Sequence, residues 1–227
     1  MAIGCRIETG FKRADPRLVS LFQGMPVANI DDNMGRVAAI DSRIFPLGKG
    51  QLLGTAFTVR VPQGDNLMFH AAMDLAQPGD VIMIDAGGFD NRAIFGELMA
   101  TYCKRRGIAG IVCDGAVRDS NALSQMEGFP VYACGVTPNG PYKNGPGEIG
   151  VSVVIGGKVV HPGDIIVGDH DGVLAIDPAV AEALAAATAA VQEKEEVIMR
   201  HIVEDGTYIR PWVDDKLREI GCAVPGR

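Results

Sequence analysis

Between residues 52 and 134 the hydrophobic period switches repeatedly from that of a strand to that of a helix, and no other feature constrains the fold as tightly. The run 52–61, Leu-Leu-Gly-Thr-Ala-Phe-Thr-Val-Arg-Val, is apolar and rich in β-branched residues, as a strand requires. Residues 65–75 carry apolar side chains at helical spacing, and Gln77-Pro78-Gly79-Asp80 stops them. A short buried strand is expected over 81–84 and a helix over 94–106, with Gly107 in the C-capping place. Strands are expected over 110–113 and 131–134. Upstream, 15–37 reads as a helix and turn, with Pro16 near its start and Gly35 near its end. Downstream, 178–204 is alanine-rich, then charged, with no glycine or proline after Pro178, and reads as one long helix. Its charged half, Gln192-Glu193-Lys194-Glu195-Glu196, is either a solvated face or a surface that packs on a neighbouring subunit. This alternation places the chain in the α/β or α+β class, as a single domain over 1–227 with a helical C-terminal segment, 178–227.

One phrase occurs twice. Pro78-Gly79-Asp80-Val81-Ile82, followed by Asp85 and Gly88, matches Pro162-Gly163-Asp164-Ile165-Ile166, followed by Asp169 and Gly172, position for position. Two copies are too few for a solenoid. They predict two equivalent turns feeding two strands of one pseudo-repeated sheet. The stretch 136–150 is rich in glycine and proline and too long for a simple turn, so it is either a functional rim or a surface loop.

Composition narrows the function classes. Hydrophobic residues make up 47% and charged residues 22%, the balance of a globular domain, and 227 residues suffice for a sizeable core. The net charge of -7, with no basic stripe to offset it, argues against a nucleic-acid partner. No apolar run reaches the length of a membrane span, and the first residues lack the apolar core of a signal peptide. Cys5, Cys103, Cys113, Cys134 and Cys222 are odd in number and show no CxxC spacing, so neither a zinc site nor a disulfide framework is expected, and the cytoplasm is the default location.

The chemistry concentrates in Phe95-Gly96-Glu97-Leu98-Met99 and in Asp114-Gly115-Ala116-Val117-Arg118-Asp119. Gly96 and Glu97 fall at a helix start, where free N–H groups favour an anion and a glycine lets it approach. Arg118 and Asp119 lie just past the end of a strand. In βαβ arrangements strand ends and helix starts share a crevice. Glu97, Arg118, Asp119 and the amides of Gly96, Leu98 and Met99 are therefore expected around one pocket. A forked cation, two carboxylates and several amides suit an α-keto acid: Arg118 pairs with its oxygens, and Asp119, with Glu97 through water, holds a hard divalent cation. Each part also has an ordinary structural reading. Arg-Asp pairs in loops are usually surface ion pairs of little worth, and a glutamate in a first helical turn complements the helix dipole.

Glu97, twenty intervening residues and Arg118-Asp119 resemble the acidic-X20-Arg-Asp signature of the 4-hydroxy-4-methyl-2-oxoglutarate / 4-carboxy-4-hydroxy-2-oxoadipate aldolases of the RraA-like superfamily. Pro62-Gln63-Gly64-Asp65-Asn66 and both copies of the repeated phrase are similar to that family too, over about 31–206. The resemblance implies an α/β/β/α sandwich of the swivelling phosphohistidine-domain type. It implies class II, metal-dependent cleavage of 4-hydroxy-2-oxo dicarboxylates to pyruvate, often with oxaloacetate decarboxylation. It implies a homotrimer or dimer of trimers with sites between subunits. By position, Asp119 would be the ligand of Mg²⁺ (or Mn²⁺ or another divalent cation), Arg118 the group that stabilises the enolate, and Glu97 the acidic residue that orients water. Gly96, Leu98 and Met99 would bind the pyruvate carboxylate, Lys143 the distal carboxylate, and Glu193 or Glu196 would come from a neighbouring subunit. This chain departs from the commoner pattern in having Glu97 where Asp is more frequent. The ribonuclease-inhibiting branch of the superfamily carries glycine at that position and Glu-Asp where this chain has Ala122-Leu123, which favours the enzyme branch and leaves a non-catalytic inhibitor as the alternative.

Other residues read more plainly. His70, on an apolar helix, is expected to be a packed core residue, and His161 and His170 to be turn residues. Asp85-Ala86-Gly87-Gly88 lacks the GxGxxG spacing of a dinucleotide loop.

Overall fold

The computed structural model describes residues 4–222. The chain begins with β1 (Cys5–Ile7), α1 (Pro16–Ser20), α2 (Val27–Asn33), β2 (Phe45–Pro46) and β3 (Leu52–Arg60). The middle is α3 (Leu67–Leu75), β4 (Asp80–Ala93), α4 (Glu97–Arg105), β5 (Gly110–Val117), α5 (Ser120–Ser124) and β6 (Val131–Val136). Short strands follow: β7 (Gly147–Ile149), β8 (Val153–Ile155), β9 (Lys158–Val160), β10 (Ile165–Gly168) and β11 (Val173–Ile176). The described chain closes with α6 (Ala181–Asp205) and α7 (Pro211–Glu219). Packing divides it into two compact units, Met1–Thr188, which holds all described strands, and Ala189–Arg227, which carries most of α6 and all of α7. No helix of the described residues is long and apolar enough to cross a membrane.

Within the first unit the architecture is α/β/β/α, as expected. Strands β3, β4, β5 and β6 pair in that order and in parallel. Alternate residues serve opposite faces. Phe57 and Val59 of β3, Ile82 and Ile84 of β4, and Ile111 and Cys113 of β5 pack with Met68, Phe69, Ala72 of α3 and Ala100, Cys103 of α4. Their neighbours Ala56, Val81, Met83, Val112 and Tyr132 face Ile166, Val173 and the β8–β9 hairpin. The outer face of β10 and β11, with Ile165, Val167, Leu174 and Ile176, is covered by Phe22, Val27, Ile30 and the start of α6.

The repeated phrase forms two equivalent turns, one on each side of β3. Thr55 pairs with Asp80 of β4 in parallel and with Ile165 of β10 antiparallel. Gly79 and Gly163 both take positive φ, 85° and 96°, which a side chain at either would oppose. In each turn the aspartate carboxylate accepts the N–H three residues back, Gln77 in one and His161 in the other, both at 2.8 Å. The later aspartates repeat too: Asp85 accepts from Gly87 N–H and Asp169 from Asp171 N–H.

Several boundaries differ from expectation. The 15–37 segment is two short helices, because Gly24 at φ 75° and Pro26, the N-cap of α2, interrupt it. The strand expected over 81–84 runs on to Ala93 through two register shifts around Phe89, with Gly87 and Gly88 at positive φ. The long helix begins at Ala181, after a single 3₁₀ turn at Pro178–Val180.

The twin turns differ in charge. Asp80 is buried and meets Arg13 through two 2.8 Å hydrogen bonds, while the buried Asp164 has no arginine or lysine partner among the described residues, and desolvation pushes its carboxyl above the ordinary range against a smaller pull from His161. Asp80→Asn should therefore cost about 3 kcal/mol, because Arg13 loses its partner, whereas Asp164→Asn should change stability by less than about 1 kcal/mol. Urea unfolding of the two variants checks this, and equal losses would contradict it.

Candidate active site

β5 ends at Val117, and the chain turns at once through Arg118 and Asp119. Asp119 is left-handed at φ 57°, a conformation that costs a non-glycine residue energy and persists only when its surroundings fix it. Here they do. Arg118 N–H donates to Phe95 O at 2.9 Å, and Asp119 O accepts from Ala122 and Leu123 to start α5. Asp119 Oδ2 accepts the Glu97 N–H at 3.0 Å. This last bond needs a bare backbone at position 96. A Cβ on Gly96 would overlap Asp119 Oδ2 and lie 2.8 Å from Arg118 Cγ.

Gly96 is also the N-cap of α4, with no side chain to cap it. The first N–H groups of a helix have no partner within it. Asp119 takes that of Glu97, and the next two residues, Leu98 and Met99, line a cavity. Glu97 in the first turn and Lys104 and Arg105 in the last complement the dipole of α4.

The cavity has a volume of about 280 Å³ and brings together Gly96, Leu98, Met99, Arg118, Asp119 and Lys143. The Arg118 guanidinium makes no side-chain hydrogen bond among the described residues; its Nε lies 3.7 Å from Asp119 Oδ2. Arg118 and Asp119 also edge a second, open hollow with Ser120, Ala122 and Thr137. Glu97 joins the site through its amide, while its carboxylate is exposed and lines neither space.

Lys143 is held over the cavity by the 136–150 loop, which is a fastened rim. Asn66 N–H donates to Tyr142 O at 3.0 Å, and Tyr142 N–H to Gly64 O at 2.8 Å. The buried Asp65 carboxylate accepts from Asn144 and Gly145 on one side and from Leu67 on the other. Arg92 stacks 4.1 Å from the centre of the Tyr142 ring and donates to Gly140 O at 2.8 Å.

Two polar side chains not expected there, Asn66 and His70, also line the cavity. Asn66 donates through Nδ2 to Ile94 O at 2.8 Å, and its buried Oδ1 has no partner among the described residues. His70, expected in the core, is half-buried with its side chain at the cavity. Burial, and then Lys143, hold its imidazole below the ordinary histidine range, against a smaller pull upward from Asp74. Their spacing of four on a helix start, directly after Pro62-Gln63-Gly64-Asp65, was the available signal.

Among the described residues no three His, Cys, Asp or Glu side chains cluster to hold a metal. Asp119 alone offers a carboxylate at the cavity, 44% exposed, with Oδ1 accepting no hydrogen bond from described residues. Such a donor set fits a hard cation that keeps most of its water and takes one protein carboxylate, as Mg²⁺ does. It does not fit a tight zinc site. Cysteine nucleophiles are absent from the cavity. Burial pushes the Cys103 thiol up to about 12 and raises that of Cys113. His161 is engaged by Asp164 and Ser152 at the second turn.

A family model described as RraA-like, Aldolase/RraA, matches residues 27–175. A relative from Halalkalibacterium halodurans, named "Putative 4-hydroxy-4-methyl-2-oxoglutarate aldolase", is 38% identical over 203 residues, 89% of this chain and 96% of its own length. Among solved structures, an uncharacterized protein from Pseudomonas syringae shares the fold with a TM-score of 0.73 at 22% identity, covering 87% of this chain and 98% of that one. Streptomyces coelicolor RraAS2, described as an unusual member of the RNase ES inhibitor RraA protein family, aligns with a TM-score of 0.71 at 27% identity, covering 82% of this chain and 98% of its own.

The Gly96–Asp119 contact is testable without reference to activity. In Gly96→Ala the new methyl should displace the Asp119 carboxylate and free the Glu97 amide, whose hydrogen exchange should accelerate by about tenfold or more while core amides stay protected. Unchanged exchange at Glu97 would show that the carboxylate tolerates a side chain there.

Proposed function

The chain belongs to the RraA-like, Aldolase/RraA family, and from that premise we propose that it is a carbon–carbon lyase. Its reaction is the divalent-metal-dependent, class II cleavage of 4-hydroxy-2-oxo dicarboxylic acids of the 4-hydroxy-4-methyl-2-oxoglutarate type, releasing pyruvate, with oxaloacetate decarboxylation as a second activity. The observation that carries this reading is the juxtaposition of Arg118, free of hydrogen-bonded carboxylates, with the Asp119 carboxylate and the open start of α4, in one small cavity.

The roles follow from what each group can do. The amides of Leu98 and Met99, at the positive end of α4, bind the substrate's C1 carboxylate. The Arg118 guanidinium donates to the 2-oxo oxygen and stabilises the negative charge it gains as the C3–C4 bond breaks. The same enolate forms when oxaloacetate loses carbon dioxide, so one arginine serves both reactions. Lys143, on its fastened rim, takes the distal carboxylate. Glu97 orients water at the mouth for return of a proton to C3. Asp119, through its free Oδ1, would hold Mg²⁺ or Mn²⁺, which when bound supplies a Lewis acid that polarises the 2-oxo oxygen. The site works as part of a homotrimer or dimer of trimers in the cytoplasm, with Glu193 or Glu196, both exposed, as the acidic residue a neighbouring copy contributes. The exposed apolar residues Val203, Ile209 and Trp212 of the second unit support such an assembly.

A second reading is favoured by the likeness to RraAS2: a non-catalytic protein that inhibits a ribonuclease. Against it stand Glu97 and the segment Ala122-Leu123, where Leu123 is fully buried in the helix layer.

A coupled pyruvate assay separates the two. Pyruvate release from 4-hydroxy-2-oxo dicarboxylates should vanish with EDTA and return with Mg²⁺ or Mn²⁺. Arg118→Ala and Asp119→Ala should each lower kcat by about 100-fold or more while circular dichroism stays native. Wild-type turnover in both variants would remove the site assignment, and capture of the ribonuclease without pyruvate release would favour the inhibitor.

A further inference from the structure

Retro-aldol cleavage needs a group that accepts the proton of the C4 hydroxyl, and the roles above leave that place empty. Most side chains at the cavity cannot fill it. Arg118 and Lys143 present donors only. Asp119 Oδ2 already accepts the Glu97 N–H, and its Oδ1 is set aside for the cation. The Glu97 carboxylate lines neither hollow. His70 remains. Its side chain lines the cavity from α3, one turn after Asn66, and neither ring nitrogen has a hydrogen-bond partner among the described residues.

We propose that His70 is the general base of this site, taking the proton from the C4 hydroxyl of a bound 4-hydroxy-2-oxo acid. The proposal rests on the aldolase reading above and sharpens its substrate class: the cavity is equipped for an alcohol, beyond what a plain oxo acid needs. The step balances within the site. The hydroxyl proton passes to the unprotonated imidazole nitrogen, and the C4–O bond becomes a carbonyl. The C3–C4 electron pair moves into the C2–C3 bond of the pyruvate enolate. The imidazolium then returns its proton, through cavity water, to C3.

The charged groups around the ring agree with this role. Asp74 lies on α3 itself, Lys143 faces it from the rim, Arg118 and Asp119 stand after β5, and Glu97 stands at the start of α4. Burial and Lys143 keep the imidazole below the usual histidine range, so the neutral, proton-accepting form prevails at neutral pH. Asn66, locked through Nδ2, holds a second unpartnered acceptor one turn away.

Decarboxylation supplies the internal control, because oxaloacetate has no hydroxyl proton to remove on the way to the same enolate. Wild type, His70→Gln and His70→Asn are assayed with Mg²⁺ for both reactions on the same preparations. The expected result is a fall of about 100-fold in the ratio of aldol cleavage to oxaloacetate decarboxylation, the size of a general-base contribution. Aldol kcat/KM of the wild type should also fall as pH drops through a value below the ordinary 6.5 of histidine, a limb absent from both variants. An unchanged ratio, whether both activities fall together or neither does, overturns the base assignment and leaves the aldolase intact. A wild type that releases no pyruvate from either substrate class overturns the aldolase reading, and this proposal with it.

Discussion

The Asp119 carboxylate occupies space that any side chain at position 96 would fill, and the candidate site depends on that close approach. The contact joins the end of β5 to the start of α4 through one hydrogen bond from Glu97. It holds Asp119 in a left-handed conformation that an unsupported aspartate would seldom keep. It sets Arg118 beside the helix start, and Arg118, Asp119, Leu98 and Met99 line one cavity. Because α4 is the crossover between two parallel neighbours, β4 and β5, the fold itself delivers these pieces to one end of the sheet.

Charge explains why an acidic chain can offer an anion site. With a net charge of -7, most arginines near the core are engaged: Arg13 by Asp80, Arg43 by Asp114, and Arg60 by Glu148 and Asp85. Among the described residues Arg118 has only a carboxylate 3.7 Å away, itself held by an amide. A locally positive field therefore coexists with global acidity, and the sum of charges excludes a polyanionic partner without excluding a small anion.

Much of this was legible in the sequence. The switch between strand and helix periods located β3, α3, α4 and β6, and the repeated Pro-Gly-Asp phrase marked the two turns that flank Thr55. Of the acidic-X20-Arg-Asp spacing, the fold brings Arg118 and Asp119 to one cavity and leaves the Glu97 carboxylate outside it. What escaped did so for physical reasons. Strands β7, β8 and β9 are three residues each, too short to carry a period; β7 is held by the distant strands β1 and β3, and β8 and β9 pair with each other in a hairpin. β4 continues past Asp85 because bulges let glycines stay within a strand, which local propensity opposes. His70 sits on a helix whose other face is core, and only the path of the 136–150 loop, pinned by Asp65, turns its environment into a cavity wall. Glu97 shows the converse: its place in the motif was plain, but a side chain at a helix start points where the local backbone sends it, and here its carboxylate lies outside both hollows.

The central claim is that Arg118, Asp119 and the start of α4 together stabilise the enolate of pyruvate. The most direct measurement is exchange of the pyruvate methyl protons for deuterium in D₂O with Mg²⁺, followed by proton NMR. No aldol acceptor and no carbon–carbon bond change is involved, so the rate reports enolate formation alone. The account predicts enzyme-dependent loss of the methyl signal that EDTA stops and Arg118→Ala abolishes. A methyl signal that persists at the uncatalysed rate, with enzyme and metal both present, would contradict it.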